Sequence, residues 1–333
     1  MKQGFVKVAS ATPGIRVADP VYNARAICTQ AKEAAEHGAK IIVFPELCIT
    51  GYTCNDLFLQ NLLLKKAKEA LLTIAEETSR LEALLFVGLP VEKDGRLYNV
   101  AAAVYRGSIL GMIPKKNIPT YAEFYEGRYF TPGEERITNL RLGEDEIPFG
   151  TNLLFCCEEL PELVLGCEIC EDLWVADPPS TSHALAGATV IANLSASNET
   201  VSKDAYRELL VKSTSARLLC GYIYTSAGEG ESTQDLVFGG HNLIAENGTL
   251  LAQSSRFATG ILYTDLDVLK ISSERRRMGT FGKQPAASYC KIPFSMELAE
   301  TRLERKFAAH PFVPEDPTLR NRRCEDILSI QAY

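Results

Sequence analysis

One order of apolar runs occurs twice along this chain, and few folds accommodate it. In the first half FVKVASAT (5–12) alternates as a strand. VYNARAICTQAKEAAEHGAK (21–40) follows with apolar residues at helical spacing and Gly38 placed as a helix stop. IIVFPELC (41–48) then reads as a buried strand whose β-branched run breaks at Pro45, completing a strand–helix–strand opening. An amphipathic helix spans residues 57–80, and ALLFVGLPVEKDGRLYNVAAAVYRGSILGMIPKK (83–116) gives three strands that turn at Asp94-Gly95 and at Gly107.

The second half repeats the order. TNLLFCCEE (151–159) and LVLGCEIC (163–170) read as strands, SHALAGA (182–188) as a helix and TVIANLSAS (189–197) as a strand. A helix over 204–221 leads to strands within 222–230, 238–254 and 260–268. Two similar α/β halves predict two sheets packed face to face with helices outside, as one domain over about residues 1–270. From 271 to 333 the rhythm is lost. ERRRMG (274–279) is basic and HPFVPED (310–316) is Pro-rich, so this stretch reads as an extension or linker.

Composition removes whole classes of function. A net charge of −7 argues against nucleic acid or an anionic membrane as the main partner, because both reward a basic surface. No apolar run approaches the roughly 18 residues a membrane span needs, and MKQGFVKVAS has no signal-peptide core. Ten irregularly placed cysteines in a chain of 333 residues read as reduced thiols in a cytoplasmic protein. Cys167 and Cys170 make one C-x-x-C spacing, but no second pair or His set completes a metal site, so no metal is expected. Of four histidines, His241, after two glycines, is the one candidate for a Cys–His pair.

Three reactive side chains close hydrophobic strands: Glu46 after IIVFP, Lys115 after SILGMIP and Cys170 after LVLGCEI. Strand ends are where α/β proteins gather catalytic groups. Glu171 and Asp172 directly behind Cys170 raise a thiol's pKa, so a nucleophile there needs a base and a positive charge from elsewhere. A carboxylate and an ammonium supply both. The thiolate then attacks an amide carbon, the ammonium and the following backbone N–H hold the oxyanion, and the protonated acid delivers its proton to the departing nitrogen. Water, activated by the same carboxylate, hydrolyses the thioester.

FPELCITGY, KKNIPTYAEFYEGRYF and GCEICEDLW resemble the nitrilase, or carbon–nitrogen hydrolase, superfamily. The resemblance implies a four-layer α-β-β-α sandwich and a Glu46, Lys115, Cys170 triad, with Glu126 as a second carboxylate and Glu123 the other candidate. K-K-N-I-P matches the family's lysine at Lys115, and adjacent strand residues face opposite ways, so Lys116 points elsewhere. Arg128 reads as the partner of a nearby carboxylate, Glu123 or Glu126.

EDLWVADPPS, the run from NLSASNE to AENG and the closing HPFVPED are similar to the glutaminase half of the glutamine-dependent NAD synthetase family. That resemblance implies L-glutamine as substrate, bound by Tyr52, Tyr121, Phe124, Glu171, Ser197 and Lys203. A carboxylate or hydroxyl suits the α-ammonium, a cation the α-carboxylate and aromatic walls the stem. The family often has arginine where Lys203 stands; lysine offers a point charge in place of a fork. The same resemblance implies ammonia supply to an ATP-dependent synthetase domain or subunit, which would carry the ATP and Mg sites through an S-G-G-x-D-S loop missing here. No cofactor is implied for the glutaminase part, and superfamily members commonly assemble as homo-oligomers. The alternative is a free-standing carbon–nitrogen hydrolase acting on another small amide. AGEGEST (227–233) suits a turn: its glycines permit close backbone approach, and its acids suit contact with a partner subunit.

Overall fold

The structure, a computed structural model, describes residues 1–282, 288–307 and 309–333. The first sheet is ordered β14 (Gly260–Asp267), β1 (Phe5–Thr12), β2 (Ile41–Val43), β3 (Leu84–Lys93), β4 (Arg96–Tyr105), β5 (Ser108–Pro114), β7 (Asp145–Phe149), β6 (Thr138–Leu142). The second is ordered β13 (Thr249–Gln253), β12 (Leu243–Glu246), β11 (Gly221–Ser226), β10 (Val190–Ser195), β9 (Val164–Ile169), β8 (Leu153–Cys157), β15 (Cys290–Phe294). β1, β2 and β3 run parallel, as do β9, β10 and β11.

Side-chain alternation between two buried faces explains why β2 reads as an unbroken apolar run. Ile41 and Val43 of β2 enter the core between the sheets, while Ile42 enters the core beneath α1 (Pro20–Glu36) and α2 (Asn61–Glu77). Across the central core Phe86 of β3 meets Phe155 of β8 edge to face, with ring centroids 5.6 Å apart. The outer face of the second sheet packs Ile191 and Tyr222 against Ala184 of α3 (Pro179–Leu185) and Val211 of α4 (Lys203–Leu218). The four layers are thus helix, sheet, sheet, helix, the α/β sandwich that the two halves imply.

Several elements differ from the sequence expectation. β2 stops at Val43, because Phe44–Leu47 turn away from the sheet. The long helix begins at Asn61, after a 3-10 segment over Tyr52–Leu59. β6 and β7 form an edge hairpin whose polar residues face out, so their apolar signal is sparse. The sequence alone assigns 271–333 to an extension, yet β15 joins the second sheet parallel to β8. The chain beyond it packs back too: the Met1 amino group donates to Thr301 Oγ1 at 2.6 Å, and Arg305 grips both Glu246 carboxylate oxygens at 2.9 and 3.0 Å. The last helix, α6 (Pro317–Ala332), following α5 (Val268–Arg277), is exposed throughout. No helix among the described residues is long and apolar enough to cross a membrane.

Candidate active site

The C-terminal ends of β2, β5, β9 and β10 converge at one place between the sheets. The turn after β2 carries Glu46, and it packs so closely on β3 that a Cβ on Gly88 would lie 2.3 Å from the Leu47 nitrogen. β5 delivers Lys115, held by its backbone N–H on Asn99 O at 2.8 Å and its carbonyl on the Gly133 N–H at 2.7 Å. β9 ends at Cys170, which opens a 3-10 turn over Cys170–Leu173 with φ +47°. A left-handed φ on a non-glycine residue is a strained geometry that persists only where the surroundings enforce it.

Glu46, Lys115 and Glu126 are buried and joined. Lys115 Nζ lies 2.7 Å from Glu46 Oε1 and 2.6 Å from Glu126 Oε1. Asn99 Nδ2 donates to Glu46 Oε1 at 2.7 Å and to Glu126 Oε2 at 3.4 Å. The Ala196 N–H, just past β10, donates to Glu46 Oε2 at 2.8 Å, and the Tyr52 hydroxyl donates to Glu126 Oε1 at 2.9 Å. Every donor fixes a carboxylate without removing its charge.

These charges act directly on the Cys170 sulfur. Burial, then Glu46, pushes the thiol well above its usual range; Lys115 opposes them, Glu126 adds to them, and the Ala196 N–H opposes weakly. The resting group is therefore a thiol that needs a base. Burial pulls against a charged Lys115, but Glu126 and Glu46 outweigh it and hold the ammonium well above its ordinary value. Glu126 is pushed up to about 7, by burial first and by Glu46, against the pull of Lys115.

Around this cluster lie the residues expected to bind an amino acid. Tyr121 OH donates to Glu171 Oε1 at 2.8 Å, and its ring meets Phe124 edge to face at 5.8 Å. Lys203 Nζ sits 5.8 Å above the Phe124 ring and 5.0 Å above Trp174, and donates to Asn198 Oδ1. Burial lowers the Lys203 pKa, and the Cys170 sulfur acts on it in the opposite sense. Ser197 is the least open: it is buried, its hydroxyl 3.3 Å from Arg207 Nη2.

Other sequence expectations fall elsewhere. Lys116 pairs with Glu135 at the surface, 2.7 Å away. Glu123 accepts from Asn198 Nδ2 at 2.6 Å and takes no part in the Lys115 cluster. Arg128 pairs with Asp56 at 2.8 Å, and not with Glu123 or Glu126, because the 3-10 segment brings Asp56 beside it. His241 is bound by Arg207 at 2.8 Å and Gln253 at 2.7 Å, which leaves neither ring nitrogen for a thiol.

Three contributors escape sequence reasoning. Asn99 is the polar residue inside the apolar run LYNVAAAVY, a signal that was available. Asp172 joins the turn at Cys170 to the chain after Lys115, and the Ala196 N–H has no side-chain signature at all.

Comparison with known proteins follows the same lines. The family model described as carbon–nitrogen hydrolase matches residues 7–276. The glutamine-dependent NAD(+) synthetase of Mycobacterium tuberculosis is 42% identical over 340 residues, covering 99% of this chain and 50% of that protein. That of Aquifex aeolicus is 32% identical over 73% of this chain and 40% of its own length. The chain thus spans about half the length of the curated relatives it matches. Among solved structures, a glutamine-dependent NAD(+) synthetase from Cytophaga hutchinsonii aligns with TM-score 0.71 and 29% identity, over 78% of this chain and 43% of that one. An amidase from Nesterenkonia shares the fold, with TM-score 0.63 and 21% identity over 84% of this chain and 96% of that one.

Proposed function

Because this chain belongs to the carbon–nitrogen hydrolase family, we propose that it hydrolyses the side-chain amide of L-glutamine through a Cys170 thioester. The observation that carries the reading is the convergence of Glu46, Lys115 and Glu126 on one buried thiol. Glu46 takes the thiol proton as the sulfur attacks the amide carbon. Negative charge that develops on the carbonyl oxygen is met by the Lys115 ammonium and the Glu171 backbone N–H. Glu46 returns the proton to nitrogen, the C–N bond breaks and ammonia leaves. A water, deprotonated by Glu46, then opens the thioester, giving glutamate and the free thiol. Glu126 is the second carboxylate that keeps Lys115 charged and in place.

Tyr121, Phe124, Glu171, Ser197 and Lys203 are the proposed grip on the amino acid, with Tyr52 closing the site beside Glu126. Glu171 suits the α-ammonium and Lys203 the α-carboxylate. The relatives twice this length are named NAD(+) synthetases, which supports delivery of the ammonia to an ATP-dependent synthetase domain or subunit. The region after about residue 270 would lead toward it. Ten free thiols support a reducing, cytoplasmic setting, and the sandwich suits a homo-oligomer.

Trapping with a chloroketone analogue of glutamine, followed by peptide mass spectrometry, tests the reading. The expected adduct is on Cys170, with glutamine protecting. An adduct elsewhere, or protection by an uncharged aliphatic amide in place of glutamine, overturns it.

A further inference from the structure

The AGEGEST loop contains a carboxylate that the proposed mechanism does not use. Glu231 Oε1 accepts from the Tyr52 N–H at 2.7 Å, and its Oε2 accepts from the Thr53 N–H at 3.0 Å and the Thr53 hydroxyl at 2.6 Å. These contacts span about half the chain, and the loop is fixed for the purpose at both ends. Ser232 N–H donates to Thr53 Oγ1 at 2.9 Å, and the Ile15 N–H donates to Glu229 O at 3.1 Å. Between them Gly230, at φ +101°, runs so close to Ile15 that any Cβ would stand 1.9 Å from its carbonyl oxygen. Only glycine allows that approach.

The two N–H groups that Glu231 takes open the 3-10 segment, where no intrahelical acceptor exists. We infer that Glu231 is a positioning residue: by holding the Tyr52 and Thr53 N–H groups it fixes the tyrosine whose hydroxyl donates to Glu126 beside Lys115. It acts through another side chain and touches no reacting atom. The inference rests on the proposed thiol chemistry and adds to it a contact between distant loops.

The test reads the charge of Glu126 through Cys170. Glu126 faces Lys115, Glu46, Asn99 and Tyr52, and its ionisation acts on the sulfur. Alkylation of Cys170 by iodoacetamide in the full chain, quantified by mass spectrometry across pH, should show a step near neutral pH. Removing the Tyr52 hydroxyl takes a donor from the charged form of Glu126, so Tyr52→Phe should move the step upward by roughly half to one pH unit. Glu231→Ala should move it the same way, and the double variant no further than the larger single shift. Glu231→Gln keeps one acceptor and should shift it less; it serves if the alanine variant does not fold. A step unmoved by Glu231 variants, or shifts that add in the double variant, overturns the inference alone. Wild-type Cys170 alkylated no faster than Cys167 overturns the thiol chemistry and the inference with it.

Discussion

Asp172 takes both donors of Asn117: its Oδ1 accepts from the Asn117 backbone N–H and side-chain amide, each at 2.8 Å. Its Oδ2 accepts from the Ile169 N–H at 3.0 Å, so one buried carboxylate ties the turn that carries Cys170 to the chain just after Lys115. Asp172→Ala would strand these donors. At about 1–3 kcal/mol for a buried unsatisfied group, partly relieved by water, the expected loss is about 3 kcal/mol in urea unfolding, with slower alkylation of Cys170. A loss below about 1 kcal/mol would show that the clamp is not structural.

The two lysines of KKNIP separate cleanly. Lys115 is buried between two carboxylates, whereas Lys116 pairs with exposed Glu135. Lys115→Gln should abolish amide hydrolysis, since it removes the oxyanion's cation and leaves Glu46 and Glu126 facing each other. Lys116→Ala should leave the rate within about twofold and stability within about 0.5 kcal/mol, as for an ordinary surface pair. Steady-state ammonia release from both variants decides it, and the reverse pattern would shift the assignment by one residue.

These residues also show what sequence carries and what it omits. The apolar runs place β1 to β5 and β8 to β14, because most of their residues are buried and polar ones such as Lys7, Asn99 and Asn193 are few. Glu46, Lys115 and Cys170 stand out as reactive groups that end such runs. The Asp172–Asn117 clamp does not, since nothing local distinguishes a carboxylate that accepts from a loop 55 residues away. Glu231 reads as one more turn acid until the fold brings Tyr52 to it across 179 residues. β15 is hidden because Pro293, the fourth of its five residues CKIPF, interrupts the strand signal and is tolerated only at the sheet edge where β15 lies.

The neighbouring cysteines provide an internal control. Cys167 is buried within β9, its thiol pushed far up by burial and by Glu168 and Asp172, with no cation acting on it. Cys170→Ala should eliminate both hydrolysis and the covalent adduct. Cys167→Ala should cost about 1 kcal/mol for the small cavity and retain hydrolysis. Loss of turnover in a folded Cys167→Ala variant would mean that the nucleophile is misassigned.

Lys203 should reveal itself in binding and not in chemistry. Its ammonium lies over Phe124 and Trp174 and donates to Asn198, whereas Glu46 and Glu126 pair with Lys115. Losing a charge-assisted hydrogen bond of about 1.5–3 kcal/mol to the α-carboxylate predicts a rise of about 10- to 100-fold in KM for glutamine. Alkylation by iodoacetamide, which has no carboxylate, should change by less than about threefold, the expectation for loss of uniform binding alone. Equal losses in both assays would place Lys203 in the chemical step.

Glu168 gives a prediction for stability. It is buried on β9, accepting from the Tyr222 hydroxyl and from the Ser180 N–H at 2.8 Å, and burial pushes it up to about 7 from an ordinary 4.5. The folded chain therefore keeps a proton that the unfolded chain releases as pH rises between those values. Folded-state stability due to this group must fall through that window, by about 1.4 kcal/mol per unit and about 3 kcal/mol in all. Glu168→Gln does not titrate, so its stability relative to wild type should improve by about that amount between pH 4.5 and 8. His183 and His241, held down to about 4 mainly by burial, bias absolute stability the other way, but they are common to both proteins and cancel in the difference. Urea unfolding of the pair at several pH values measures it, and a difference that stays flat across the window would mean that Glu168 is already ionised in the folded chain.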